Sequence, residues 1–129
     1  MYKILVVEDN LINQKVVVRF LEKTKKYEVR IANNGQEAIE KLQQESFDLI
    51  LMDLQMPIMG GYEATRHIRD KQSQGLLPYI PIIALTAHAL QSDREACLAI
   101  GMNDYLTKPI DPILLYNTIE KTLLPSNFA

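Results

Sequence analysis

Short apolar runs alternate with amphipathic stretches five times along this chain, and this alternation limits the possible folds more than any other feature. The first run, Lys3 to Val7, is rich in β-branched residues and has no polar alternation, which predicts a buried strand. The stretch from Asn10 to about Lys23 repeats apolar residues at helical spacing, and Asp9 or Asn10 can cap its start. Five such units predict an α/β fold, a parallel sheet with helices on both faces.

The remaining elements follow the same pattern. Further strands are predicted at 28–32, 48–52, 82–86 and 104–107, and further helices at 36–44, 62–72, 92–100 and 112–124. The third strand is apolar on both faces, which predicts a central position in the sheet. In the first helix, the apolar face is predicted to contain Ile12, Val16 and Phe20 together with Val17 and Leu21.

Composition excludes several classes of protein. The chain has 129 residues, enough for one domain, which we place at 1–124 with a tail or linker at 125–129. Its 16 acidic and 14 basic residues give a net charge of -2, without the excess of basic residues that is typical of nucleic-acid-binding proteins. The longest apolar runs are too short to cross a bilayer, and no signal peptide is visible. The one cysteine, Cys97, fits a reducing compartment, so we expect a cytoplasmic domain.

Charged and hydroxyl side chains follow four of the predicted strands. Glu8 and Asp9 follow the first strand, Asp53 the third, Thr86 ends the fourth and Lys108 follows the fifth. Parallel sheets bind ligands at this edge, so we expect these groups to lie close together. Three carboxylates would repel one another unless a cation joined them, and oxygen ligands alone favour magnesium over zinc. Together the groups predict a phosphoryl-transfer site, with Asp53 as the nucleophile that forms an acyl phosphate.

Four segments carry a resemblance to a known family: ILVVEDN at 4–10, LMDLQMP at 51–57, IIALTA at 82–87 and DYLTKP at 104–109. They resemble the receiver domains of two-component response regulators over essentially the whole chain. The segment MDLQMPIMGGYEA at 52–64 is most similar to the receivers of hybrid sensor histidine kinases. The resemblance implies a flavodoxin-like, doubly wound five-stranded parallel sheet with strand order 2-1-3-4-5.

The resemblance also implies roles for individual residues. Asp53 would be the phosphoacceptor, and Mg²⁺ would be bound by Asp9, Asp53 and the backbone carbonyl of Gln55, with Glu8 acting through water. Lys108 would contact the phosphoryl group. No position in this set departs from the pattern of the family.

Other implied roles concern switching and the lifetime of the phosphorylated form. Thr86 would move to bond the phosphoryl group, and Tyr105 would change rotamer with it. The Lys108–Pro109 bond is expected to be cis. Gln55 and His88, two positions after Asp53 and Thr86, are expected to tune dephosphorylation without affecting phosphorylation.

Two protein-facing surfaces are expected. One is the face of the fourth helix, fifth strand and fifth helix around Tyr105, which would respond to phosphorylation. The other is the first helix near Leu11, Asn13 and Gln14, beside the loop at Pro109, where a histidine kinase or histidine phosphotransfer domain would reach the phosphoacceptor. We expect no contact with nucleic acid or membrane.

Two alternative functions use the same fold. A flavodoxin-like redox module would bind a flavin through a phosphate-binding loop after the first strand, but the acidic pair there argues against it. A docking domain that never becomes phosphorylated is the other alternative. In the favoured interpretation the domain catalyses its own modification and is not a turnover enzyme.

Overall fold

The structure, a computed structural model, describes residues 1–87 and 90–124, and in this part of the chain five strands and five helices alternate. The strands are β1 (Tyr2–Val7), β2 (Tyr27–Ala32), β3 (Leu49–Asp53), β4 (Ile82–Thr86) and β5 (Asp104–Thr107). The helices are α1 (Leu11–Lys23), α2 (Gly35–Gln44), α3 (Gly61–Ser73), α4 (Gln91–Ala99) and α5 (Pro112–Leu123). All strands are parallel in the order β2-β1-β3-β4-β5, which confirms the predicted topology.

The core lies on both faces of the sheet, as the apolar character of the central strands predicts. Leu5 and Ile50 point to the face covered by α2, α3 and α4, whereas Ile4 and Leu51 point to the face covered by α1 and α5. Successive residues of a strand face opposite sides, so each central strand contributes to both layers. Every residue of β3 is buried, and this strand ends at Asp53.

None of the helices in the described ranges is long and apolar enough to cross a membrane.

Several helices begin or end at residues whose side chain or backbone suits that position. Asn10 caps α1 by accepting a hydrogen bond from the Asn13 N–H at 2.9 Å, and Asp111 caps α5 by accepting one from Ile113 at 2.8 Å. Gly101 follows α4 with a φ of 108°, a conformation that suits glycine at a helix end.

The prediction for the buried face of α1 is partly wrong. Val17 and Leu21 are buried, but Ile12 is 71% exposed and Val16 is 41% exposed. The buried residues of the helix are Val17, Leu21 and Gln14, which recur at i, i+3 and i+7. With about 3.6 residues per turn, Ile12 and Val16 fall on the side of the helix turned away from this stripe, and they are therefore exposed.

Candidate functional site

The carboxyl end of the sheet brings the predicted site residues together. Glu8 and Asp9 directly follow β1, Asp53 and Thr86 are the last residues of β3 and β4, and Lys108 directly follows β5. The strand register keeps these ends level, since Asp53 pairs with Leu85 and Thr86 pairs with Thr107.

A buried ion-pair network forms the centre of this site. The Lys108 ammonium donates to Glu8 Oε1 at 2.9 Å and to Asp53 Oδ1 at 3.2 Å. Glu8 is 1% exposed and Asp53 is 3% exposed, so both carboxylates are withdrawn from water. The other oxygen of Glu8 accepts a hydrogen bond from the Asn10 N–H at 3.1 Å. One ammonium group therefore serves two buried carboxylates.

The electrostatics of Asp53 follow from this crowding. The pKa of its carboxyl group is raised to about 6, mainly by burial and then by the charge of Glu8 and a hydrogen bond with it. Lys108 and the Gln55 N–H act in the opposite direction. For Lys108, burial is the largest influence and lowers the pKa, but the interactions with Glu8 and Asp53 together outweigh it, so the pKa is raised.

The three carboxylates fit a divalent cation. Oxygen atoms of Glu8, Asp9 and Asp53 all lie within 4.8 Å of one another, and Asp9 is exposed where the other two are buried. Three carboxylates and one ammonium leave a formal charge of -2, which one divalent cation would neutralise. The donors are all oxygen atoms, which suits Mg²⁺.

The loop after Asp53 is held against the site by its backbone. The Gln55 N–H donates to Asp53 Oδ1 at 3.3 Å, and the side chain of Gln55 is exposed. Gly61 packs so closely that a Cβ atom there would collide with the carbonyl oxygen of Asp53. Paired glycines at 60 and 61 indicate a turn, and that local signal does not reveal a close approach to the preceding strand.

Gln14 was predicted to face a phosphodonor, but it is 5% exposed and so does not belong to the surface. Its Nε2 donates to the backbone carbonyl of Glu8 at 2.6 Å and to Asn33 Oδ1 at 2.8 Å. Gln14 therefore holds the segment after β1 in place through a buried hydrogen bond. Gln14 lies three and seven residues before Val17 and Leu21, on the same face of α1, so helical periodicity turns this position inward.

Thr86 and Tyr105 lie on the same face of the sheet. Tyr105 pairs with Ala84, and Thr86 follows Ala84 by two residues, so the three side chains share one side. Thr86 is 2% exposed, and its carbonyl accepts a hydrogen bond from the Lys108 N–H at 2.7 Å. Tyr105 is half-buried, and the guanidinium of Arg94 lies 5.4 Å from its ring centre.

Two further expectations concern the Lys108–Pro109 bond and the side chain of His88. The Lys108–Pro109 peptide bond is cis, as expected. The role expected of His88 lies outside the described residues.

The sequence matches the family model described as "Response regulator receiver domain" over residues 4–120. It is 45% identical over 123 residues to hybrid signal transduction histidine kinase I of Dictyostelium discoideum, an alignment that covers 91% of this chain and 7% of that kinase. It is 49% identical over 108 residues to histidine kinase 1 of Arabidopsis thaliana, which covers 83% of this chain and 9% of that protein. The chain thus spans less than a tenth of either kinase.

Solved structures agree with these relatives. The receiver domain of sensor histidine kinase PA1611 from Pseudomonas aeruginosa, with a magnesium ion coordinated in its active-site cleft, is 42% identical. Its TM-score is 0.83, with 95% of this chain and 97% of that chain covered. The receiver domain of the response regulator Ssk1 from Saccharomyces cerevisiae, in a co-crystal with the histidine phosphotransfer protein Ypd1, is 39% identical. Its TM-score is 0.87, with coverage of 93% and 87%.

Proposed function

The chain belongs to the response regulator receiver domain family of two-component phosphorelays, and we propose that it accepts a phosphoryl group on Asp53 from a phosphohistidine of a partner protein. One observation carries this proposal: a buried aspartate at the end of the central strand shares an ammonium group with a second buried carboxylate. A purely structural ion pair would match one carboxylate with one cation. Here the excess negative charge leaves the site ready for a cation and a phosphoryl group.

Asp53 is suited to act as the nucleophile. A pKa of about 6 leaves its carboxylate mainly ionised at neutral pH, and burial limits the water around it. In the proposed step an oxygen of Asp53 bonds to phosphorus while the bond between phosphorus and the histidine nitrogen breaks. The electron pair of that bond returns to the imidazole ring, and Asp53 becomes an acyl phosphate.

Lys108 and Thr86 would stabilise the transferred group. The Lys108 ammonium already donates to Asp53 Oδ1, so a phosphoryl oxygen on Asp53 would lie within its reach. Its raised pKa keeps the amine protonated throughout the neutral range. Thr86, at the end of the neighbouring strand, would offer a hydroxyl donor to another phosphoryl oxygen.

We propose that Mg²⁺ is the cofactor, held by Asp9, Asp53 and the carbonyl of Gln55, with Glu8 acting through water. When bound, the ion would offset the charges of the carboxylates and of the phosphoryl oxygens. The mutual distances of the three carboxylates and the formal charge of -2 support this assignment.

The proposed output is a change on the face formed by α4, β5 and α5. Thr86 and Tyr105 share one side of the sheet, so movement of Thr86 toward a phosphoryl group would open space toward Tyr105. A surface groove of about 330 Å³ lies beside Tyr105, with Arg94 and Lys121 among its lining residues. A protein partner on this face would detect the new position of the aromatic ring.

The proposed donor is a histidine kinase or histidine phosphotransfer domain that docks on α1. Leu11 is 62% exposed there, and a cavity of about 140 Å³ between α1 and the loop after β5 includes Asn13, Val16 and Pro109 in its lining. Gln14 is no longer part of this surface. Three further expectations also stay predictions. They are the cytoplasmic location, the roles of the Gln55 and His88 side chains in tuning dephosphorylation, and self-modification without turnover of an external substrate.

Phosphorylation with a small phosphodonor tests the proposal directly. Acetyl phosphate should label the wild-type chain only when Mg²⁺ is present, and beryllofluoride should change the environment of Tyr105 under the same condition. A docking domain that is never phosphorylated would take up no label, and a redox module would purify with bound flavin. Failure of labelling at saturating Mg²⁺ would refute the proposed function.

A further inference from the structure

The loop between β3 and α3 displays an apolar side chain in a strained backbone conformation. Ile58 has a φ of 69°, and the Met59 N–H donates to the Pro57 carbonyl at 2.7 Å across it. This hydrogen bond closes a γ-turn of the form with positive φ at its central residue, the rarer and more strained of the two forms. A β-branched residue is poorly suited to this region of φ, where glycine and asparagine are common.

The protein itself gains almost nothing from the side chain of Ile58. The residue is 82% exposed, so burial within the chain does not offset the strain. The turn is imposed by its surroundings, since the Gly35 N–H donates to the Met59 carbonyl at 2.9 Å. A residue that tolerates positive φ would fit the same turn at lower cost, so the presence of isoleucine indicates a use outside the folded monomer.

This loop returns to the phosphoacceptor at both ends. It starts directly after Asp53, and the Gly61 N–H donates to the Leu54 carbonyl at 3.2 Å, which closes the loop on itself. Gly61 also packs against the carbonyl of Asp53. The loop that carries Ile58 therefore borders Asp53 at both of its ends.

We propose that Ile58 is a docking anchor for the protein that carries the phosphohistidine, an inference that rests on the proposed function. The cleft has a formal charge of -2 before metal binds, and a phosphohistidine is also anionic, so charge does not favour their approach. An apolar contact at the rim adds attraction without adding charge. Leu11, two residues after Asp9, offers a second exposed apolar contact on α1.

The partner surface that fits is therefore apolar and surrounds the phosphorylated histidine. A second copy of this chain fits less well, because it would bring another negatively charged cleft to the first. The contact should depend weakly on salt, since it is not an ion pair.

Comparing phosphoryl transfer from a protein donor with phosphoryl transfer from a small donor distinguishes docking at Ile58 from the phosphorylation of Asp53 itself. The variants are Ile58→Asn, which tolerates positive φ but is polar, Ile58→Val, which keeps a β-branched apolar side chain, and Leu76→Asn. Leu76 is the matched control, since it is 64% exposed in the segment before β4, at the opposite end of the sheet. The donors are phosphorylated Ypd1 of Saccharomyces cerevisiae and acetyl phosphate, each with Mg²⁺.

For Ile58→Asn we expect kcat/KM for transfer from phosphorylated Ypd1 to fall about tenfold at both low and high salt. Labelling by acetyl phosphate should stay within about twofold of wild type, because a small donor needs no docking surface. Ile58→Val and Leu76→Asn should transfer at nearly the wild-type rate. The urea midpoint of Ile58→Asn should equal or exceed that of wild type, because the strain is relieved.

Equal transfer to Ile58→Asn and wild type would overturn the anchor while leaving the proposed function intact. Wild-type labelling by acetyl phosphate but not by phosphorylated Ypd1 would also overturn it, since the occupant would then not be such a donor. If Ile58→Asn changed the sedimentation coefficient and not the transfer, the occupant would be a second copy and the inference would be wrong. Absence of wild-type labelling by both donors would refute the proposed function itself.

Discussion

At the carboxyl end of the sheet three carboxylates surround one ammonium group, whereas at the amino end the guanidinium of Arg69 lies among neutral oxygen atoms. Arg69 Nε donates to the Gly101 carbonyl at 2.9 Å, Nη1 to the Ile80 carbonyl at 2.8 Å and Nη2 to Asn103 Oδ1 at 3.0 Å. Its charged group also lies 4.7 Å from the centre of the Tyr79 ring. The first region has unmatched charge, and the second has matched hydrogen bonds.

This difference distinguishes a candidate reaction site from a structural hydrogen-bond network, which we call the Arg69 brace: Arg69 with its partners at 80, 101 and 103. At the amino end, Arg69 ties α3 to the segments that precede β4 and β5, and its guanidinium makes four hydrogen bonds to groups of the protein. At the carboxyl end, burial and, after it, the charge of Glu8 raise the pKa of Asp53, so the charged carboxylate makes the folded state less stable than it would be without the charge. Satisfied networks stabilise a fold, and unsatisfied charge is retained where a ligand or a reaction requires it.

The largest expected effect is the loss of phosphoryl uptake in Asp53→Asn. The amide is nearly isosteric with the carboxylate but is not a nucleophile, so labelling by acetyl phosphate should fall by about 100-fold or more. Mass spectrometry of the intact chain measures the phosphorylated fraction, and circular dichroism checks that the fold is retained. Full labelling of this variant would show that another residue is the acceptor.

Breaking the brace should affect stability and leave the chemistry intact. Arg69→Met removes the hydrogen bonds to the carbonyls of Gly101 and Ile80, which would lose these donors in a partly buried region. We expect the free energy of unfolding to fall by about 3 kcal/mol, measured by urea denaturation. Arg66→Met, an exposed position on the same helix, is the control and should change stability by less than about 0.5 kcal/mol.

At temperatures where the Arg69→Met variant stays folded, acetyl phosphate should label it at a rate close to that of wild type. A large loss of labelling in the folded fraction would mean that the two ends of the sheet are coupled, and the contrast between site and brace would fail.

The pH dependence of stability should also distinguish the two regions. Asp53 has a folded pKa of about 6, above its ordinary value of 3.8, so the folded state holds its proton more tightly than the unfolded state does. Stability should therefore fall as pH rises from about 4 to about 6, and Asp53→Asn should remove this loss. Without divalent metal, the variant should be more stable than wild type by about 3 kcal/mol at pH 7, and this gain should shrink toward pH 4.

Urea denaturation in EDTA at several pH values measures this gain. The penalty of Arg69→Met should stay constant over the same range, because a guanidinium remains charged throughout. A gain from Asp53→Asn that did not change with pH would contradict the assigned electrostatic origin.

The smallest effect is expected for Asp9→Ala. Asp9 is exposed and has less influence on the fold than the buried carboxylates, so stability should change little. Affinity for Mg²⁺ should fall by about tenfold, or about 1.4 kcal/mol, if Asp9 binds the ion directly. Isothermal titration calorimetry measures the affinity, with Asp48→Ala, an exposed aspartate before β3, as the control. An unchanged affinity would remove Asp9 from the ligand set.

Local sequence patterns were sufficient for most of the architecture. The predicted strands at 82–86 and 104–107 agree with β4 and β5 to the residue, and each of the other elements differs by one residue at one or both ends. These elements are defined by apolar periodicity and by glycine or proline at their ends, which act within a few residues. The orientation of α1 was less predictable, because Ile12, Val16 and Val17 all fit a helical pattern and packing against the sheet decided which of them is buried.

The alternation of strands and helices and the residue types at the strand ends were determined by the sequence, and with them the prediction of a phosphoryl-transfer site, whereas the order of the strands in the sheet was implied by the family resemblance. Only the tertiary structure decided which groups share a proton donor: Lys108 reaches Glu8 across 100 residues and Asp53 across 55. The same holds for the Arg69 brace, whose partners at 80, 101 and 103 meet only when β4 and β5 lie side by side. Hydrogen bonds depend on tenths of an ångström between distant segments, and sequence periodicity carries no information at that scale.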